Sequence, residues 1–148
     1  MDLNGDGYTD LVVGAPFYEA TGAVYIYMNG PKGITNNPQQ TPRFKIEGQE
    51  AEGRFGFALA NAGDLNNDGY ADLVVGAPYE ESGKVYVFNG AEKFNDPSPS
   101  QIITAKDLPV QGVKTFGYSL GGGYDLDLNN HSDIVVGAYA SDTAFIVR

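Results

Sequence analysis

A fifteen-residue stretch of this chain occurs three times, and that repetition constrains the fold more than any other feature. Asp2-Leu3-Asn4-Gly5-Asp6-Gly7-Tyr8-Thr9-Asp10-Leu11-Val12-Val13-Gly14-Ala15-Pro16 recurs as Asp64-Leu65-Asn66-Asn67-Asp68-Gly69-Tyr70-Ala71-Asp72-Leu73-Val74-Val75-Gly76-Ala77-Pro78. A more divergent copy runs from Asp125 to Tyr139, so the offsets are 62 and 61 residues. A second block keeps phase with the first. Phe55-Gly56-Phe57-Ala58-Leu59 begins nine residues before Asp64, and Phe116-Gly117-Tyr118-Ser119-Leu120 begins nine before Asp125. No such block precedes Asp2, so the chain is expected to begin inside a repeat.

Each repeat reads as strands. Leu73-Val74-Val75 is a short apolar run between an acidic loop and Gly76-Ala77-Pro78. A turn through Ser82-Gly83 leads to Val85-Tyr86-Val87-Phe88, β-branched and aromatic, which ends at the turn signal Asn89-Gly90. Leu11 to Val13, Thr21-Gly22, Val24 to Tyr27 and Asn29-Gly30 repeat that order. A further strand is expected near Phe44-Lys45-Ile46 and near Gln101 to Thr104, after polar, Pro-rich links from Pro31 to Pro42 and from Glu92 to Pro99. No segment keeps apolar residues at helical spacing for ten or more positions. Four strands in about sixty residues is too much for one solenoid coil and suits one blade of a β-propeller. The expected fold is therefore all-β, a partial propeller of four-stranded antiparallel blades. Residues 1–50 supply strands two to four of one repeat, 51–111 a full repeat, and 112–148 strands one to three of the last.

Composition removes other classes. With 19 acidic and 9 basic residues the net charge is −10, opposite to what phosphate backbones attract. An apolar fraction of 42% is enough for a core and too high for an acidic disordered tail. Cysteine is absent, which excludes disulfides, zinc–thiolate sites and a cysteine nucleophile. There is no apolar run of about 18 residues to span a bilayer, and no leader pattern follows Met1.

The acidic loops carry the chemistry. Oxygen-bearing side chains stand at loop positions one, three, five and nine: Asp2, Asn4, Asp6, Asp10; Asp64, Asn66, Asp68, Asp72; Asp125, Asp127, Asn129, Asp133. Hard cations such as Ca²⁺ take six to eight oxygen ligands, and the position-seven carbonyls of Tyr8, Tyr70 and His131 are further candidates. Gly7 and Gly69 at position six suit a backbone that wraps an ion. Asn130 stands there in the third loop, which weakens that loop without removing it. Helix-flanked calcium loops place an acidic ligand at position twelve, but here position twelve is Val13, Val75 and Val136, each inside a strand. Magnesium is disfavoured by so many protein oxygens. Nine of the nineteen acidic residues lie at these positions, so three Ca²⁺ ions would bring the charge from −10 to −4. Simple Asx-type turns are the bland alternative. Loops of this kind bind in the range of about 10⁻⁴–10⁻³ M in extracellular modules, which points outside the cell.

The Phe-Gly block, the acidic loop and the Gly-Ala-Pro block together resemble the FG-GAP repeat of integrin α-subunit propellers, across essentially the whole chain. The resemblance implies a seven-bladed ring with calcium loops on one face of its last blades. It also implies a single-pass cell-surface adhesion receptor whose extracellular head pairs with a β subunit and binds matrix or cell-surface ligands. Gly137-Ala138-Tyr139 departs from Gly-Ala-Pro, and with the shortened turn after it resembles the closing blade, so the chain is expected to match blades five to seven. The family's β-subunit contact is lined by aromatics, for which Phe57 and Tyr118 are candidates; core packing is the competing role. A secreted hydrolase such as a glycosylphosphatidylinositol-specific phospholipase D, and a bacterial surface protein, carry related propellers. No catalytic set stands outside the loops. The single histidine, His131, is expected to offer its carbonyl and expose its ring. Asn130-His131-Ser132 is a formal N-glycosylation sequon. Gly121-Gly122-Gly123 lacks the lysine and helix of a phosphate loop and reads as flexible backbone.

Overall fold

The computed structural model describes residues 1–34, 42–95 and 97–148. Part of the Pro31–Pro42 link and one residue of the Glu92–Pro99 link lie outside the described residues. Among the described residues, ten strands form three antiparallel sheets. The first contains β1 (Leu11–Ala15), β2 (Ala23–Tyr27) and β3 (Phe44–Glu47), in that order. The second contains β4 (Ala58–Gly63), β5 (Asp72–Ala77), β6 (Lys84–Phe88) and β7 (Gln101–Thr104), again in chain order. The third contains β8 (Phe116–Tyr124), β9 (Asp133–Ala138) and β10 (Thr143–Val147). This is the strand pattern expected from the repeats, including the strands at Phe44 and Gln101. Helical structure among the described residues is confined to short 3₁₀ turns such as Ala105–Asp107 and Tyr139–Ser141.

The Gly121-Gly122-Gly123 run is not flexible backbone. It lies within β8, where Gly121 pairs with Val135 and Gly122 with Ile134. The reason is close approach: a Cβ on Gly122 would stand 2.9 Å from the Ala62 Cα. Small residues here let the innermost strands β4 and β8 of neighbouring sheets pack together.

Alternation along the strands builds two cores. Leu73, Val75 and Ala77 of β5, with Tyr86 and Phe88 of β6, face the first sheet and join Val24, Ile26, Leu3, Phe55 and Phe94. Val74 of β5, with Val85 and Val87 of β6, faces the third sheet and joins Ile103, Phe116, Ile134 and Val136. Every residue of β5 is buried, because both faces of the middle sheet are covered. The two outer sheets each keep one open face, which exposes Leu11 and Val13 on one side and Val135 and Ile146 on the other.

The Phe-Gly and Gly-Ala-Pro blocks recur because they meet. A Cβ on Gly76 would overlap the Gly117 carbonyl oxygen, and one on Gly14 would overlap that of Gly56. Each Gly-Ala-Pro glycine thus abuts the Phe-Gly glycine of the following sheet. The phenylalanine amides complete the joint, Phe55 donating to the Thr21 carbonyl at 3.0 Å and Phe116 to that of Ser82 at 3.2 Å. Gly76→Ala should therefore destabilise the chain by about 3 kcal/mol, because the added methyl meets backbone that cannot swing away. Urea denaturation should show a matching drop in midpoint; a change under about 1 kcal/mol would contradict the close approach.

Glu80, in the turn between β5 and β6, is fully buried. Its Oε2 accepts from the Tyr86 hydroxyl, while Oε1 has no hydrogen-bond partner among the described residues. Lys84 stands 3.7 Å away but is drawn to Glu50 at 2.5 Å and lies 3.5 Å from Glu81. Burial is the dominant effect and raises the Glu80 carboxyl above its usual range, against the Tyr86 hydroxyl, Lys84 and a Gln49 backbone amide; Glu50 raises it further. In the unfolded chain this carboxyl titrates at about 4.3. Between that value and the higher folded one, the native state holds more protons, so this group's contribution falls as pH rises through the window. Glu80→Gln should accordingly gain stability relative to the parent at pH 7, by about 1 kcal/mol, since the amide removes the buried charge and keeps an acceptor for Tyr86. The gain should shrink toward the acid end of the window, about pH 4.5. Thermal melts across that range would refute the assignment if the difference were flat.

Candidate metal centre

The second and third acidic segments join β4 to β5 and β8 to β9, and the first leads into β1, all at the same end of the sheets. All three adopt the same hydrogen-bond scheme. The position-one carboxylate accepts the amides of positions five and six: Asp2 from Asp6 and Gly7 at 3.2 and 2.8 Å, Asp64 from Asp68 and Gly69 at 3.0 and 2.7 Å, Asp125 from Asn129 and Asn130 at 3.0 and 2.8 Å. The position-three oxygen accepts the position-five amide as well: Asn4 at 3.4 Å, Asn66 at 3.1 Å, Asp127 at 3.2 Å. The position-five oxygen accepts from position seven: Asp6 from Tyr8 at 2.9 Å, Asp68 from Tyr70 at 3.0 Å, Asn129 from His131 at 2.8 Å. Backbone amides thereby fix the side-chain oxygens of positions one, three and five in each loop.

Position nine is different in kind, because its carboxylate is buried. Asp10 accepts from the Leu3 amide at 2.9 Å and the Asn29 amide at 2.8 Å. Asp72 does the same with Leu65 at 2.8 Å and Gly90 at 2.9 Å. Asp133 accepts from Leu126 at 2.7 Å. Its other oxygen has no hydrogen-bond partner among the described residues. Asn29 and Gly90, read from the sequence only as turn formers, are thus part of the loop's closure.

Burial is the main effect on Asp10 and Asp72 and raises both carboxyls above the ordinary range. The two backbone amides oppose it, while the neighbouring position-five and position-one carboxylates raise them further. Like charge is therefore concentrated where an opposite charge would relieve it. In the third loop, carboxylate oxygens of Asp125, Asp127 and Asp133 lie within 4.8 Å of one another. A donor set of three carboxylates and an amide oxygen suits a hard, oxygen-seeking cation of calcium's size. Asp127 also pairs with Arg148, Nε to Oδ2 at 3.2 Å.

The sequence pattern of the FG-GAP repeat matches residues 2–27 and 55–88. Nearly the whole chain is similar to integrin α subunits. It is 43% identical over 162 residues to Integrin alpha-PS2 of Drosophila melanogaster, covering 99% of this chain and 11% of that protein. It is 41% identical over 152 residues to Integrin alpha-3 of Cricetulus griseus, covering 99% of this chain and 14% of that protein. Integrin alpha-6 of Homo sapiens is 40% identical over 154 residues, covering 100% and 12%. The chain is an integrin-α-type FG-GAP segment. Its three sheets are a partial FG-GAP β-propeller, and it spans less than a sixth of the length of these relatives.

Other sequence candidates fall at different places in the FG-GAP segment. Phe57 and Tyr118 stand at the end of the sheets opposite the acidic loops, half-buried, with ring centroids 4.7 Å apart. Tyr79 packs on Phe57 at 6.1 Å and Tyr139 stacks on Tyr118 at 5.0 Å. Phe17, 72% exposed, carries the Arg54 guanidinium 4.6 Å above its ring. The two residues predicted singly are the inner members of a row that sequence reading missed; the aromatics after each Gly-Ala pair were its available signal. His131 exposes its ring as expected, but the ring is not free: Nδ1 lies 3.1 Å from the Asn67 amide nitrogen. Asn130 is exposed, with φ of +69°.

Leu128 is held at φ of +61° and is 85% exposed. Its counterparts are Gly5 and Asn67, residues that tolerate the left-handed region, where an ordinary side chain costs about 1–2 kcal/mol. Leu128→Asn should raise stability by about 1 kcal/mol. A urea midpoint that fails to rise would show that this backbone is not strained.

Proposed function

We propose that the FG-GAP segment is a calcium-binding part of the propeller of an integrin-like α subunit. In this reading it belongs to the extracellular head of a single-pass cell-surface adhesion receptor. The head pairs with a β subunit and binds extracellular-matrix or cell-surface ligands once its other blades are present. The observation that carries the reading is the threefold repetition of one hydrogen-bonded acidic loop, whose carboxylates meet in the third copy, in a chain whose relatives are integrin α subunits. Asp2, Asn4, Asp6 and Asp10 would hold a first ion, with the Tyr8 carbonyl. Asp64, Asn66, Asp68 and Asp72 would hold a second, with that of Tyr70. Asp125, Asp127, Asn129 and Asp133 would hold a third, with that of His131. The ions act structurally, neutralising clustered carboxylates and favouring the folded loops by preferential binding.

The repeat limits carry over as proposals, 1–50, 51–111 and 112–148, matching blades five to seven of a seven-bladed ring. The aromatic end of the sheets, with Phe57 and Tyr118 at its centre, is the surface offered to the β subunit. Exposed aromatics of this density mark an interaction face, and Phe57 and Tyr118 also brace each other across the blade junction. A role as a non-enzymatic binding segment follows from the same reading. Asn130 is retained as a glycosylation candidate on exposure and sequon alone.

Calorimetric titration with CaCl₂ tests the central point, with an Asp6→Ala, Asp68→Ala, Asp127→Ala triple variant as control. Uptake near three equivalents in the parent, lost in the variant, is the expected result. Ca²⁺ at a hundred times Kd should also add about 2.7 kcal/mol per site to stability. A folded parent that takes up no Ca²⁺ would leave the loops as ordinary turns.

A further inference from the structure

The second and third acidic loops touch through one side chain. Asn67, at position four of the second loop, directs its amide nitrogen to the Asn130 carbonyl at 3.4 Å and to His131 Nδ1 at 3.1 Å. An amide NH₂ has two hydrogens and no acceptor, so it donates to both, and the imidazole accepts at Nδ1. Asn67 lies between Asn66 and Asp68, and Asn130 and His131 lie between Asn129 and Asp133. Both ends of the contact are therefore embedded among the candidate ligands. The first junction repeats the arrangement without the hydrogen bonds. Gly5, at position four of the first loop, lies against the position-seven ring of the second, so closely that a Cβ there would be 2.7 Å from Tyr70 Cε1.

We propose that the second and third loops form one coupled calcium unit, joined by the Asn67 side chain, in which ordering either loop raises the affinity of the other. The proposal rests on the calcium reading above. The physical argument is one of linkage. Asn67 must hold φ of +56° to present its amide, and the flanking ligands set that backbone only when the loop is closed. The same holds for the Asn130 carbonyl, whose residue is at φ of +69°. A loop that is already closed supplies half of the contact in place, so its neighbour closes at smaller entropic cost. The coupling must act equally in both directions. Direct electrostatics works the other way: a filled loop is less negative than an empty one and attracts a second cation less. That opposing effect does not depend on Asn67, so changing this residue isolates the contact.

The test is a double-mutant cycle read at individual loops. The Gly69 amide donates to Asp64 and the Asn130 amide to Asp125, so their NMR shifts during a CaCl₂ titration report the second and third loops separately. Asp127→Ala weakens the third site. Asn67→Gly removes the bridging amide and keeps the left-handed backbone, placing there the residue that the first loop carries naturally. His131→Ala removes the accepting ring and keeps the carbonyl. With Asn67 present, Asp127→Ala should weaken the second loop about fivefold, the net worth of an exposed hydrogen-bonded contact. With Asn67→Gly the same substitution should change the second loop by less than about 1.5-fold, and His131→Ala should give an intermediate result. Equal effects of Asp127→Ala in both backgrounds, with Ca²⁺ still binding, would overturn the coupling and leave the calcium reading intact. Absence of any Ca²⁺ response at Gly69 and Asn130 in the parent would overturn both.

Discussion

The position-nine carboxylate is the group on which each repeat depends. Asp10 and Asp72 are buried, yet each is held by two main-chain amides from segments far apart in sequence. One amide belongs to the loop's own second residue, the other to a residue two places past β2 or β6. A single acidic group thus fixes where the loop starts and where the strand ends. Burying a charge is expensive unless it is hydrogen-bonded, and burial does raise these carboxyls. The two amides make the position tolerable, and a bound cation would make it favourable. That is why an aspartate stands where the strand pattern alone would call for an apolar residue.

The residue tied by this carboxylate is always leucine, and its placement turns a loop into a joint between sheets. Leu3 is fully buried in a cluster with Leu73 and Phe88 of the following sheet and Phe94 of its β6–β7 link, and its carbonyl accepts the Ala91 amide at 2.9 Å. Leu65 packs in the same sense against the core that includes Ile134 and Val136. Leu126, by contrast, is 50% exposed. At the opposite end, the glycine pairs Gly14–Gly56 and Gly76–Gly117 let the sheets close to backbone contact. Each junction is therefore pinned twice, by a leucine under the acidic loop and by two glycines beneath the aromatic row.

Much of this could be read in the sequence because it is written three times. Four strands per repeat, the extra strands at Phe44 and Gln101, and the in-phase acidic positions all follow from period and residue type. What could not be read were distances between residues that never neighbour each other in the chain. Nothing in Asn29 or Gly90 marks them as donors to an aspartate 19 or 18 residues earlier. Asn67 reads as a turn former, and its reach of 63 and 64 residues to Asn130 and His131 depends on how two blades pack. Glu80 reads as one more surface acid in a turn, whereas the Tyr86 hydroxyl and the tight approach of Gly53 enclose it. The glycine triplet misleads for a related reason. Composition suggests flexibility, but here the absence of side chains serves the contact between β4 and β8.

The two ends of the sheets are chemically distinct, and antiparallel pairing makes that division unavoidable. Ala58 pairs with Gly76 at one end of the middle sheet, and Gly63 with Asp72 at the other. The β4–β5 and β8–β9 crossings therefore fall at the acidic end, and the β1–β2, β5–β6 and β9–β10 crossings at the aromatic end. The row of Phe17, Phe57, Tyr79, Tyr118 and Tyr139 and the row of acidic loops are carried by the same strands. The spacing between successive aromatics is set by how closely adjacent sheets approach, and that approach is fixed at the far end by the leucines that the loops hold in place. An aromatic surface assembled from several blades keeps its geometry only while each junction does. Closing the loops at one end of the strands is thus a condition for a constant surface at the other.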